Sequence, residues 1–204
     1  MQGKFITFEG SEGCGKSTQS KLLYLYLKKL GLPVVYIREP GGTKVSEKLR
    51  DILLDPANRK LTAECELLLY MASRSQVVSE VIEPALKKGK VVISDRFLDS
   101  TLAYQGYGLG IDLGFIKQVG RFSTHGLKPD LTVFLDTPLR QCFKVIGRTR
   151  DRIERRKFCY HQKVRRGYLT LAKKEPGRFK IIRLERDKHN TQEKIRAIVS
   201  QLLR

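Results

Sequence analysis

Five short runs of β-branched and aromatic residues punctuate the chain: Phe5–Phe8, Val34–Arg38, Val91–Asp95, Leu131–Asp136 and Phe179–Leu184. Each is nearly continuous in apolar residues instead of alternating with polar ones, as expected of strands covered on both faces. Longer stretches with helical spacing separate them, so the order reads βαβα. It predicts an α/β fold, a five-stranded parallel sheet flanked by helices on both faces. The first helix is expected to open at Gly15-Lys16-Ser17, to turn Leu22, Leu23, Tyr26, Leu27 and Leu30 inward, and to stop at Gly31 with Pro33 close behind. A second helical stretch runs from about Ala63 to Val81, with Leu67, Leu68 and Met71 in the core, and the last from about Thr191 to Leu203. No repeat or low-complexity linker interrupts the pattern, so residues 1–204 read as a single domain. The segment Arg148–Lys157 (RTRDRIERRK) is nearly all charged and reads as a solvated helix face or a short flexible lid, spanning about residues 146–158.

Composition narrows the class. No run approaches the roughly 18 apolar residues of a membrane helix. The opening MQGKFITFEG turns polar too early for a signal-peptide core, so a cytoplasmic protein without a membrane partner is expected. Four cysteines lie far apart and histidines number three, which argues against a structural zinc site and a disulfide framework. The net charge is +19, and residues 138–204 hold 21 of the 40 basic side chains but only 6 of the 21 acidic ones. That asymmetry points to polyanions without choosing between nucleic acid, a membrane surface and nucleotide phosphates.

Gly10-Ser11-Glu12-Gly13-Cys14-Gly15-Lys16-Ser17, followed by Thr18, fits G-x-x-x-x-G-K-[ST] between an expected strand and an expected helix. There the glycines let backbone N–H groups converge on phosphate oxygens, Lys16 reaches the outer phosphates and Ser17 ligates Mg²⁺. A nucleoside triphosphate with Mg²⁺ is therefore the expected ligand. Glu12 would repel a triphosphate and is expected to point elsewhere, toward a second substrate or solvent. Cys14, near a helix N-terminus, is expected to have a lowered thiol pKa and to be the most alkylation-sensitive of the four cysteines.

The acceptor is harder to read. Arg38 and Arg96 stand at or just beyond strand ends, where ligands of open α/β sheets bind, and two cations there suit an anionic acceptor. A phosphate monoester acceptor is already ionised and needs cations more than a general base. Asp95 and Asp136 both end strands; either is a candidate to hold Mg²⁺, with Asp95 favoured and Asp136 alternatively capping a helix near Pro138. Arg148, Arg150 and Arg152 are candidates to close over the transferring phosphoryl group. Two rivals stand beside this reading. One is a P-loop kinase for another acceptor, a different nucleoside monophosphate or a deoxynucleoside; a deoxynucleoside kinase would need Glu39 or Asp95 as base. A nucleic-acid-dependent P-loop ATPase would use the basic C-terminal third, but no basic and aromatic platform accompanies it, so no specific nucleic-acid partner is expected.

Taken together, FEGSEGCGKST, REPGGT with EKLRDILLD, ELLLYMASRSQ, DRFLDSTLAYQG, KPDLTVFLD and DRIE with RRGYL resemble the bacterial thymidylate kinases over nearly the whole chain. The resemblance implies a P-loop nucleoside monophosphate kinase fold, a homodimer, and transfer of the ATP γ-phosphate to dTMP, giving dTDP and ADP on the way to dTTP. It implies an acceptor-binding region over about residues 38–105: Arg38 and Arg96 on the dTMP phosphate, Glu12 near the 3′-hydroxyl, and Tyr70 stacked on thymine. By the same resemblance Arg74 meets the 4-carbonyl, Thr101 and Gln105 line the rest of the base edge, and Tyr104 crowds the 2′ position. The phosphate loop carries no arginine and the lid is rich in them, so Arg148 or Arg150 takes the catalytic arginine's role beside Lys16 and Arg96.

Overall fold

The computed structural model describes residues 3–145, 147 and 150–203. Five parallel strands, β1 (Lys4–Glu9), β2 (Val34–Arg38), β3 (Val91–Asp95), β4 (Leu131–Asp136) and β5 (Phe179–Arg183), lie in the order β2-β3-β1-β4-β5. The apolar runs become strands because both faces are covered. Ile6 and Phe8 of β1 pack with Leu23, Leu27, Ile195 and Val199 on one side, while Phe5 packs on the other with Val77, Val78 and Ile82. The register sets Phe8 beside Asp95 and Val133, and Arg38 beside Asp95. The carboxyl ends of the strands thus open along one edge, where Glu9, Arg38, Asp95 and Asp136 emerge together.

Helix α1 (Lys16–Lys29) ends at Gly31, whose φ of 77° lets its N–H reach the Lys28 carbonyl at 3.0 Å while the Leu32 N–H reaches Leu27 at 3.2 Å. Leu23 and Leu27 face inward as expected. Leu30 does not: it occupies the cap, past the last inward turn, and is 57% exposed.

The remaining helices are α2 (Lys44–Leu54), α3 (Ala63–Val77), α4 (Glu83–Lys87), α5 (Leu98–Thr101), α6 (Leu113–Ser123), α7 (Leu139–Val145), α8 (Phe158–Lys174) and α9 (Lys188–Leu202). Thr62 caps α3 by accepting from the Cys65 N–H at 3.2 Å. The helical course expected to end near Val81 continues into α4 through a π-helical turn, Val78–Ile82, whose wider winding precedes Pro84. Leu67 and Met71 are buried, but Leu68, about 100° further round α3, is 54% exposed. A second π turn, Leu102–Gly108, follows α5 and packs on α8. At Gly167 a Cβ would lie 2.7 Å from the Tyr107 ring, so only glycine permits that approach.

The charged segment before α8 behaves differently from its composition. Arg152 is only 8% exposed and Ile153 is buried. The Arg152 N–H donates to Leu54 O at 3.1 Å and its Nε to Leu53 O at 2.8 Å. Charge is admitted to this interior because Glu66 of α3 lies there to meet it. Among the described residues, no helix is long and apolar enough to cross a membrane.

Candidate active site

The phosphate loop turns at Gly10, Gly13 and Gly15 with φ of 148°, 69° and 86°, values that side chains resist. Lys16 is buried and folds back to donate from Nζ to the Ser11 carbonyl at 2.7 Å. Ser17 and Thr18 stand exposed in the first turn of α1, and the Ser17 hydroxyl donates to Asp95 Oδ2 at 2.5 Å. The second candidate carboxylate is occupied: Asp136 accepts from Arg165 Nε at 2.7 Å and Nη2 at 2.9 Å. Cys14 reverses its expectation. Its side chain packs into the core under Gly10, and burial pushes the thiol pKa up, outweighing the pull of Lys16.

Beyond the loop, Arg96 adopts φ 77°, a left-handed conformation that costs a non-glycine residue roughly 1–3 kcal/mol. Its N–H donates to Phe8 O at 2.9 Å and its carbonyl accepts from Ser94 Oγ at 2.6 Å, which hold the turn. The strained turn aims the guanidinium back over the loop. Nη1 donates to the Gly10 carbonyl at 3.1 Å, Nη2 to Glu12 Oε1 at 2.6 Å, and the group lies 4.8 Å from the Tyr104 ring centroid. Tyr104 donates to the same Glu12 oxygen at 3.0 Å. Burial alone would raise the Glu12 pKa; Arg96 first, then Lys16, bring it down to about 2.

Glu12, Tyr70, Arg74, Arg96, Thr101, Tyr104 and Gln105 line one pocket beside the loop. Arg74 is buried, donating from Nε to Glu39 at 2.8 Å, from Nη1 to Thr101 Oγ1 at 2.9 Å and from Nη2 to Phe97 O at 3.1 Å. Arg38 lies outside this lining, 47% exposed and paired with Glu47 at 3.2 Å. The phosphate loop, with its buried lysine, thus abuts a pocket lined by Arg74, which is buried, and Arg96, which is partly exposed.

The thymidylate kinase family model matches residues 8–195. A thymidylate kinase of Pelotomaculum thermopropionicum is 50% identical over 185 residues, spanning 89% of this chain and 86% of the relative. One of Symbiobacterium thermophilum is 46% identical over 200 residues, spanning 98% and 94%. The crystal structure of thymidylate kinase from Ehrlichia chaffeensis is similar with a TM-score of 0.80 at 34% identity, covering 98% of this chain and 99% of that one. The chain belongs to the thymidylate kinase family. Its reaction is ATP-dependent phosphorylation of dTMP.

Several residues of this thymidylate kinase site escaped the sequence reading. Arg50 lines the pocket, donating to Pro40 O at 2.9 Å; its place three residues after Glu47 on α2, one turn along the same face, is the only sequence signal for it. Glu39, named above only as the base of a rival reading, also lines the pocket, with Oε2 on Arg74 and Oε1 without a partner among the described residues; burial raises its pKa against the pull of Arg74. Glu9, at the end of β1, accepts from the Phe97 N–H at 2.8 Å, Ser100 Oγ at 2.6 Å and Tyr168 OH at 2.8 Å. It anchors the turn that carries Arg96. Burial, reinforced by Asp99, raises its pKa to about 7.

In the lid, Arg148 lies outside the described residues. Arg150 sits over the Phe143 ring at 5.6 Å and forms no salt bridge among the described residues. Arg152 is not placed to close over a phosphoryl group, because its side chain is buried, with Nε on Leu53 O and Nη1 on Glu66 at 2.6 Å.

Proposed function

We propose that this thymidylate kinase transfers the γ-phosphate in line to the dTMP phosphate without a general base. The observation that carries the reading is the Arg96–Glu12 pair, which joins the phosphate loop to the acceptor pocket through one guanidinium. Lys16 and the loop N–H groups hold the ATP phosphates, and Arg96 meets the dTMP phosphate. Arg150, with Arg148, supplies the lid cation as charge spreads over the transferring group. Arg38 and Arg50, on neighbouring elements, add positive potential at the acceptor side.

The Ser17 hydroxyl and Asp95 carboxylate fit Mg²⁺, a hard cation that takes oxygen ligands and is held mainly by phosphates and water. Bound there, Mg²⁺ would neutralise phosphate charge. The pocket supports the base reading as follows: Tyr70 stacks on thymine, Arg74 faces the 4-carbonyl, and Thr101 and Gln105 line the remaining edge. Tyr104 closes the 2′ side, and Glu12 lies near the 3′-hydroxyl. The protein acts as a cytoplasmic homodimer. Leu68 of α3 and Phe115 and Phe122 of α6 support that state, being exposed apolar side chains on helices that pack together.

A coupled ADP-release assay with Mg-ATP and dTMP, dUMP, dCMP, dGMP, AMP and thymidine tests the reading. The expected order places dTMP first and dUMP second; turnover of thymidine alone would overturn the monophosphate acceptor.

A further inference from the structure

Glu66 is fully buried in α3, outside the lining of the acceptor pocket, yet three side chains from two other parts of the fold end on its carboxylate. Its Oε2 accepts from Arg152 Nη1 and Arg156 Nη2, each at 2.6 Å, and its Oε1 accepts from Gln105 Nε2 at 2.8 Å. We propose that Glu66 is a positioning residue that fixes the Gln105 amide with its carbonyl toward the acceptor base, and so selects pyrimidines that carry a hydrogen on N3. The inference rests on the placement of Gln105 at the base edge proposed above.

The argument is one of donors and acceptors. An amide side chain has a donor end and an acceptor end that are nearly equal in shape, so packing alone does not choose its orientation. A carboxylate paired with two guanidiniums only accepts. The NH₂ of Gln105 must therefore face Glu66, and its carbonyl, which receives no hydrogen bond from the described residues, faces the pocket that Gln105 lines. Thymine and uracil present an N3–H donor there. Cytosine presents a lone pair at N3, which would oppose the carbonyl and leave two acceptors in contact. A buried site built for one hydrogen-bonding pattern rejects the opposite pattern strongly, because the mismatched groups stay unpaired. Arg152 and Arg156 hold Glu66 in place, and each retains a buried nitrogen, Nη2 and Nη1 respectively, without a partner among the described residues. The lid segment thereby supports the same carboxylate that orients the base reader.

The test compares kcat/KM for dTMP and dCMP. Glu66→Gln can turn its own NH₂ toward position 105, freeing Gln105 to flip; the dTMP-to-dCMP ratio is expected to fall at least tenfold. The exchange Glu66→Gln with Gln105→Glu restores a single orientation, with an acceptor oxygen facing the base, and is expected to recover most of the ratio. Arg156→Met loosens the lid while Arg152 still holds Glu66 and Glu66 still accepts from Gln105; it is expected to lower kcat for both substrates at an unchanged ratio, which a merely structural role for Glu66 would not separate. An unchanged ratio in folded Glu66→Gln, or an exchange variant that discriminates no better than Glu66→Gln, overturns the proposal. If Glu66→Gln melts below the assay temperature, the exchange variant decides alone. A wild type that fails to prefer dTMP over dCMP would instead overturn the placement of Gln105 at the base edge.

Discussion

Arg96 Nη2 and Glu12 Oε1 meet at 2.6 Å, joining the turn after β3 to the middle of the phosphate loop. The pair places a cation between the phosphate loop and the neighbouring pocket, and the Glu12 carboxylate is engaged by Arg96 and Tyr104. Replacing Arg96 by Ala removes the cation and leaves Glu12 without its counter-charge. The expected loss in kcat/KM is about 10³-fold, roughly 4 kcal/mol of transition-state stabilisation. Steady-state kinetics on a variant with a normal melting curve check it; wild-type kinetics would remove Arg96 from the mechanism.

Lys16 makes a different case. Its ammonium donates to the Ser11 carbonyl and has Cys14 Sγ at 3.8 Å, contacts that the fold can lose at small cost. Lys16→Ala is therefore expected to keep the melting temperature within a few degrees while kcat/KM falls by at least 10². Loss of stability with retained turnover would make Lys16 a structural residue of the loop.

Glu9 gives a pH dependence of definite sign. Its pKa in the folded protein is about 7, against an ordinary 4.5, chiefly through burial. Between these values the folded state keeps a proton that the unfolded chain releases, so this group's contribution to stability falls as pH rises from about 4.5 to 7 and stays low above that. The effect is on the order of 3 kcal/mol, from ~1.4 kcal/mol per tenfold change in proton affinity. Glu9→Gln mimics the protonated acid, so its melting temperature relative to wild type should be several degrees higher at pH 8 than at pH 5. Parallel melting curves across that range would count against a neutral Glu9 at low pH.

The strands and the phosphate loop were legible in the sequence because each announces itself locally: an unbroken apolar run needs two covered faces, and G-x-x-x-x-G-K-S needs a strand before it and a helix after it. Arg96 was legible too, but its positive φ was not, since only the bonds to Phe8 and Ser94 impose it. Arg38 also stands at a strand end, and there its side chain turns to Glu47, which α2 brings beside it. Glu9 and Glu66 could not be found by local reasoning. What distinguishes each carboxylate is a set of donors from distant segments: Phe97, Ser100 and Tyr168 for one, Gln105, Arg152 and Arg156 for the other. The same pairing explains why a charged segment that looked unable to enter a core did so.

Thiol reactivity separates local motif from tertiary burial. A cysteine near a helix N-terminus with a lysine two residues on has every local reason to ionise easily. Cys14 meets both conditions, yet its sulfur is fully buried, and loss of hydration outweighs Lys16 and raises its pKa. Cys142 is likewise buried, with burial as the leading cause of a pKa of about 11. Cys65 and Cys159 lie exposed on α3 and α8. A thiolate must both form and be reached by the reagent, so maleimide at pH 7.5 should label Cys65 and Cys159 rapidly and leave Cys14 and Cys142 intact until denaturant is added. Mass spectrometry of peptides after a timed pulse reads this directly. Because the Cys14 side chain points into the core, away from the face that receives phosphates, ATP should slow its labelling only through the stability it lends the fold. Rapid modification of Cys14 in the folded enzyme would mean that the loop opens far enough to expose its underside.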